Sequence, residues 1–205
     1  MMEEVNIFWF RRDLRLYDNS GLSAATHSKI KVIPIFIFDT SITDKLPNND
    51  RRINFIFDNL AKIDLELKNK FNSSINVFKG EPEEIFKELI RNYKINSVFT
   101  NNDYEPYAIS RDKSIRDLLE NNQIKFKSFK DQVIFEKNEV VKDDGNPYVV
   151  YTPYMRKWKA SLNEDLSELN EKEVINNFYN SSVSALKKLN DYGFKQEDIN
   201  YWMPV

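Results

Sequence analysis

The sequence predicts an α/β domain built on a doubly wound, five-stranded parallel sheet in the order 3-2-1-4-5. Three observations predict it. Five short runs rich in Val, Ile and Phe lie at 5–10, 32–38, 75–79, 96–100 and 124–129. Each is apolar throughout rather than at alternate positions, the pattern of strands covered on both faces. Between them lie helical patterns, and parallel neighbours require such crossovers. The strand order follows from right-handed crossover connections.

Taken in order, the first run is followed by Asp18-Asn19-Ser20, which caps a short helix through Leu22 and His27. After the second, Ile53, Ile56, Leu60, Ile63 and Leu67 repeat at spacings of three and four, predicting a helix over about 51–71. After the third, Pro82 opens a helix to about 93 that buries Ile85, Leu89 and Tyr93. The helix after the fourth covers about 107–121, with Ile115, Leu118 and Leu119 inward. Residues 1–130 thus form the α/β core.

Beyond 130 the pattern changes. Residues 131–162 read as an extended and helical appendage: Asp143-Asp144-Gly145-Asn146-Pro147 makes a turn, and Thr152-Pro153 opens a helix containing Met155 and Trp158. Trp158 is expected to anchor that helix against a neighbouring domain. Residues 163–205 begin as an Asn-, Ser- and charge-rich stretch, an interdomain linker by composition. They end on Tyr192, Phe194, Tyr201, Trp202 and Met203, an aromatic cluster with no further core behind it. The expectation is that the chain is the N-terminal part of something longer.

Composition narrows the chemistry. Thirty basic and 32 acidic residues give a net charge of −2, against a surface that grips nucleic acid throughout. With no cysteine and a single histidine, His27, there is no disulfide, thiolate site or histidine metal cluster. Met1-Met2-Glu3-Glu4 lacks the basic start of a signal peptide, and the apolar run 32–38 is too short to span a bilayer. A cytoplasmic protein is expected, with no membrane partner.

Two segments are odd for plain connectors: Arg11-Arg12-Asp13-Leu14-Arg15 after strand 1, and Asp103-Tyr104-Glu105-Pro106-Tyr107 after strand 4. Surface ion pairs alone would explain the first. In an open parallel sheet, however, ligands settle at the carboxyl edge where strand order reverses. With order 3-2-1-4-5 that crevice lies between strands 1 and 4, so the two segments face each other across it. None of the four glycines forms a phosphate-binding loop. The crevice offers rings (Phe10, Phe38, Phe55, Tyr104, Tyr107), carboxylates (Asp39, Asp103, Glu105) and guanidinium groups (Arg11, Arg52). That set suits a flat, conjugated, polar heterocycle. Arg11 and Arg52 are expected to converge there with Asp103 and Glu105. Phe38 and Phe55, taken singly, read equally as core.

The chain resembles the N-terminal α/β antenna domain of the DNA photolyase/cryptochrome family. The resemblance rests on Trp9 through Leu16 with Asp18-Asn19, Pro34 through Asp39, Asn101 through Asp112, and Gly145 through Tyr148 followed by Tyr151-Thr152-Pro153-Tyr154 and Trp158. It spans roughly 1–160, and Asp191-Tyr192-Gly193-Phe194 is similar to the interdomain connector. The resemblance implies a deoxyribodipyrimidine photolyase that repairs cyclobutane pyrimidine dimers in UV-damaged DNA. A helical C-terminal domain, absent from these residues, would hold FAD and the flipped dimer, so this chain alone would be inactive and carry no catalytic residue.

The N-terminal domain would carry a light-harvesting chromophore. Tyr107-Ala108 stands where folate-binding members have an Asn-Glu pair, which sets a deazaflavin or flavin ahead of folate; some members hold no antenna. By similarity Arg11, Asp39, Arg52, Phe55, Asp103 and Glu105 are the candidate contacts. The rivals are a cryptochrome, which signals without repairing, and a freestanding nucleotide-binding α/β module.

Overall fold

A computed structural model of the chain describes residues 3–162, 173–180 and 186–197. The five apolar runs form β1 (Glu4–Phe10), β2 (Val32–Asp39), β3 (Asn76–Gly80), β4 (Lys94–Asn101) and β5 (Lys125–Phe129). Every neighbouring pair is parallel, and the order is β3-β2-β1-β4-β5, as the sequence predicts. The helices are α1 (Ser20–Thr26), α2 (Thr40–Thr43), α3 (Arg51–Phe71), α4 (Pro82–Asn92), α5 (Pro106–Asn121) and α6 (Tyr151–Leu162).

The alternation of side chains along β1 and β2 divides the core into two. Phe8, Phe10, Phe36 and Phe38 pack with Leu22 of α1 and with Ile53, Leu60, Ile63 and Leu67 of α3. Ile7, Trp9, Ile33, Ile35 and Ile37 point the other way, onto Phe86 and Leu89 of α4 and Ile115 and Leu119 of α5. Ile56, Tyr93 and Leu118, expected inward, are only half-buried. Covered on both faces, β1 and β2 are buried at nearly every position. The edges depart from that pattern: in β5 only Phe126 is buried, and Lys125, Lys127 and Ser128 face solvent. Lysines on an edge strand discourage pairing with another chain.

Local chemistry sets the helix ends. Asp50 caps α3 by accepting the Arg52 N–H, and Asn72 ends it at φ 49°. Pro82 and Pro106 open α4 and α5, where a missing N–H is harmless. The turn at 143–147 is present, with Gly145 at φ 78° and Asn146 N–H on Asp144 Oδ1 at 2.9 Å. Trp158 of α6 meets Phe135 edge-on, ring centroids 5.6 Å apart, and no residue of α6 is buried.

The described parts of 163–205 depart from a free linker. Phe178 bridges Val32 at the start of β2, with Val32 N–H on Asn177 O and Tyr179 N–H on Val32 O, both at 2.9 Å. Asn177 donates to three carbonyls of the α1–β2 turn: Thr26 (3.0 Å), Ser28 (2.6 Å) and Ile30 (3.2 Å). Leu189, Tyr192 and Phe194 are buried in the α3-side core beside Phe38 and Phe57. Composition concealed this because a few spaced apolar residues anchor an otherwise polar segment. Tyr201, Trp202 and Met203 lie outside the described residues.

Tyr192 gives this strap a measurable signature. Burial first, then the charges of Asp191 and Asp64, push its hydroxyl up from 10.0 to about 12. The folded state therefore keeps a proton that the unfolded chain releases near 10. Its contribution is complete below that pH and is lost as pH rises toward 12, about 2–3 kcal/mol in all. Tyrosine absorbance and circular dichroism followed together from pH 9 to 12 should show one phenol ionising with unfolding, and Tyr192→Phe should remove that phase. Ionisation of Tyr192 near its ordinary pH in a chain that stays folded would refute the assignment.

Candidate functional site

The loop leaving β1 is fixed by a buried polar hub. Asn101, at the end of β4, donates to Asp13 Oδ2 at 2.5 Å and to Asn19 Oδ1 at 2.8 Å, and accepts the Gly21 N–H at 2.8 Å. Asp13 also accepts the Arg11 N–H (2.8 Å) and Asn19 Nδ2 (3.3 Å). Asn19 caps α1 through the Leu22 N–H. A side chain at position 21 would put its Cβ 2.6 Å from Asn101 Oδ1 and 3.2 Å from the Thr100 backbone, so glycine is required by the close approach. Arg15 pairs with Asp131 at 2.9 Å, whose other oxygen accepts the Ser20 N–H. Most of this Arg-rich loop is therefore a staple between strands 1 and 4.

Arg11 turns toward α5. Its guanidinium donates to both oxygens of Asp112 at 2.6 Å and to the Asn101 carbonyl. Asp112 also pairs with Arg111 at 3.0 Å. The two guanidinium groups lie 5.2 and 4.9 Å from the Trp9 ring. Arg111 reaches further, to 5.8 Å from the Tyr107 ring and 4.0 Å from Asp39 Oδ2. Tyr107 donates its hydroxyl to that same oxygen at 2.7 Å, while Asp39 Oδ1 caps α2 through the Ser41 N–H.

Two of the sequence candidates, Arg11 and Asp39, thus belong to one cluster at the carboxyl edge of the sheet. Asp103 and Glu105 lie at its mouth, but the guanidinium facing them is that of Arg12, at 3.4 and 3.5 Å. Arg52 does not converge with them. It is exposed and folds back on Asp50, with bonds of 3.0 and 2.7 Å. The reason is local: the carboxylate that caps α3 is two residues away in the chain and within bonding distance. Phe55, on the next part of α3, is half-exposed, which removes it from the core. Of the five rings, Phe10 and Phe38 are buried, Tyr104 is half-buried, and Tyr107 and Phe55 are exposed.

Sequence reasoning missed Arg12, Arg111 and Asp112 as members. The signal was available in part, since Tyr107 and Arg111 are one helical turn apart and must share a face.

Electrostatics follow burial. Desolvation holds the Asp39 carboxyl above its ordinary range, opposed by the Tyr107 bond, the Ser41 N–H and the Arg111 charge. Burial and then the Asp39 acceptor push the Tyr107 phenol up. Tyr104 is also raised, by burial and then by the charges of Glu136 and Asp103. Apart from the Tyr107–Asp39 bond, no hydroxyl is paired with a base among the described residues of the cluster. The cluster presents rings, carboxylate acceptors and the exposed Arg12 guanidinium. Among the described residues, no helix is long and apolar enough to cross a membrane.

Comparison with known proteins agrees with this fold. The family model for DNA photolyase matches residues 6–172. The deoxyribodipyrimidine photo-lyase of Synechococcus sp. PCC 6301 is 29% identical over 154 residues, 75% of this chain and 32% of that protein. The crystal structure of a class III photolyase from Agrobacterium tumefaciens superposes with a TM-score of 0.80 at 26% identity, over 98% of this chain and 40% of that one. An archaeal photolyase from Sulfolobus tokodaii, solved with two FAD molecules and described as implying a novel light-harvesting cofactor, superposes with a TM-score of 0.58 at 37% identity, over 66% of this chain and 32% of that one. The chain thus spans 32–40% of the length of these relatives. With that match over most of its length, and the sheet order and switch-point cluster in place, the chain belongs to the DNA photolyase family.

Proposed function

We propose that this chain is the antenna-binding α/β part of a light-driven deoxyribodipyrimidine photolyase. The observation that carries the reading is the switch-point cluster itself, which has ring faces and fixed polar groups. A flat heterocycle, a flavin or deazaflavin in preference to folate, fits the residues present. The exposed ring of Tyr107 would stack on it, and Arg12, Asp103 and Glu105 would bond its polar edge. When bound, such a group absorbs light and passes the excitation to a catalytic FAD. The chain's own residues orient it and exclude motion that would waste the excited state. The catalytic FAD and the damaged DNA belong, in this reading, to a helical domain outside residues 1–162.

The test has two arms. Titration of the protein with riboflavin or a deazaflavin, followed by ligand fluorescence polarisation, should show saturable binding. Asp103→Ala combined with Glu105→Ala should weaken it about tenfold, as expected for two lost polar contacts. Binding unchanged by that pair places the site elsewhere. In the second arm, the chain supplied with FAD, light and thymine-dimer DNA should show no repair, and the chain joined to its helical domain should repair. Repair by the chain alone would overturn the division of labour. Failure of the joined protein to repair would favour a cryptochrome.

A further inference from the structure

The Tyr107–Asp39 contact occupies a particular place. Tyr107 stands in the first turn of α5, after β4, and Asp39 at the end of β2. Because β1 lies between β2 and β4, a bond from one to the other runs across the carboxyl end of β1, over the floor of the crevice. Arg111 lies over the Tyr107 ring and 4.0 Å from the same Asp39 oxygen, so the phenol is held from two sides. Asp39 is buried, with one oxygen committed to the cap of α2 and the other to the phenol.

Resting on the crevice reading above, we propose that Tyr107 is the specificity-determining residue of this site. Its hydroxyl bars the space over β1, and only a ring that brings its own hydrogen-bond donor to Asp39 takes its place. The physical reason is the asymmetry of buried hydrogen bonds. A ligand that displaces the phenol without replacing its donor leaves a desolvated carboxylate short of a partner, a far larger penalty than the gain from one ordinary contact. A ligand with an imide or amide N–H on its edge, as in an isoalloxazine, deazaflavin or pterin, exchanges one charge-assisted bond for another. The closed bridge also lowers the apparent affinity of any ligand by the fraction of molecules in which it is open.

The probes are riboflavin and its N3-methyl derivative, which differ at the imide donor, titrated against the wild-type chain, Tyr107→Phe and Asp39→Asn. Removing the hydroxyl should tighten riboflavin by about 3- to 30-fold, the span of one modest hydrogen bond. N3-methylation should weaken binding to the wild type by about tenfold or more, and Asp39→Asn should shrink that difference to within about threefold. Thermal melts establish that each variant is folded, and the comparison of the two ligands on the wild type needs no variant. Riboflavin binding that is unchanged or weaker in a folded Tyr107→Phe protein overturns the barrier. Equal binding of the two ligands to the wild type overturns the donor requirement. Both leave the crevice standing as a flavin site, whereas failure of riboflavin to bind either wild type or Tyr107→Phe overturns the crevice reading together with this one.

Discussion

Replacing Asp13 by alanine should lower the stability of the chain by about 2–4 kcal/mol, among the largest effects of any single side chain outside the apolar core. Its carboxylate is buried and accepts three hydrogen bonds, from Asn101 Nδ2, Asn19 Nδ2 and the Arg11 N–H. Water cannot take its place in so closed a site without the surroundings moving, so three donors lose a partner at once. The hub also holds the Gly21 N–H through Asn101, so α1 loses its seat against β4. Urea unfolding gives the measurement, as a shift in midpoint at unchanged slope. Arg12→Ala, on an exposed side chain of the same loop, should stay within about 0.5 kcal/mol of wild type. An Asp13→Ala protein as stable as Arg12→Ala would show that the hub is incidental.

A second large effect is expected at Asp112. Its carboxylate serves both Arg11 and Arg111, whose side chains are 7% and 10% exposed. With Asp112→Ala, Arg11 keeps the Asn101 carbonyl and the Trp9 ring, and Arg111 keeps the Trp9 and Tyr107 rings with its nearest carboxylate, Asp39, 4.0 Å away. Breaking a buried pair in this way costs about 3–5 kcal/mol, chiefly because a charge is left desolvated and unmatched. The distinguishing measurement is a double-mutant cycle. Arg11→Met in the Asp112→Ala background should recover part of the loss, since it removes the stranded charge while filling the space beside Trp9. Strictly additive losses would show that the two residues act independently.

The sheet was legible because its signals are dense. Apolar strands, a three-four stripe in α3 and prolines at the starts of α4 and α5 all point to one topology. The site was legible in location and less so in detail. Strand order alone brings the loops after β1 and β4 together, so Arg11, Asp39, Asp103 and Glu105 could be placed at one edge. Which guanidinium meets which carboxylate depends on rotamers and on nearer competitors, and there the sequence is silent. Arg52 was lost to Asp50 because a helix cap two residues away wins over a partner across a cleft. Arg12 took the position instead because Arg11, its neighbour, points to the opposite side and is committed to α5. The strap was hidden for a different reason: Phe178, Leu189, Tyr192 and Phe194 are too widely spaced to make any periodic pattern.

That strap fixes an order of events when the chain is made. Its contacts join residues more than a hundred positions apart: Asn177 with the carbonyl of Thr26, and the Lys195 carbonyl with Asn54. Contacts so distant in sequence must repay the entropy of closing a long loop. Synthesis from the N-terminus delivers all five strands before residue 173 exists. The nascent domain therefore completes its α4/α5 side first and holds Phe38 and Phe57 without the rings of Tyr192 and Phe194 until those two residues are made. For that interval the α3 side of the sheet is the sticky face of the newborn protein, and the time it stays open is set by the ribosome.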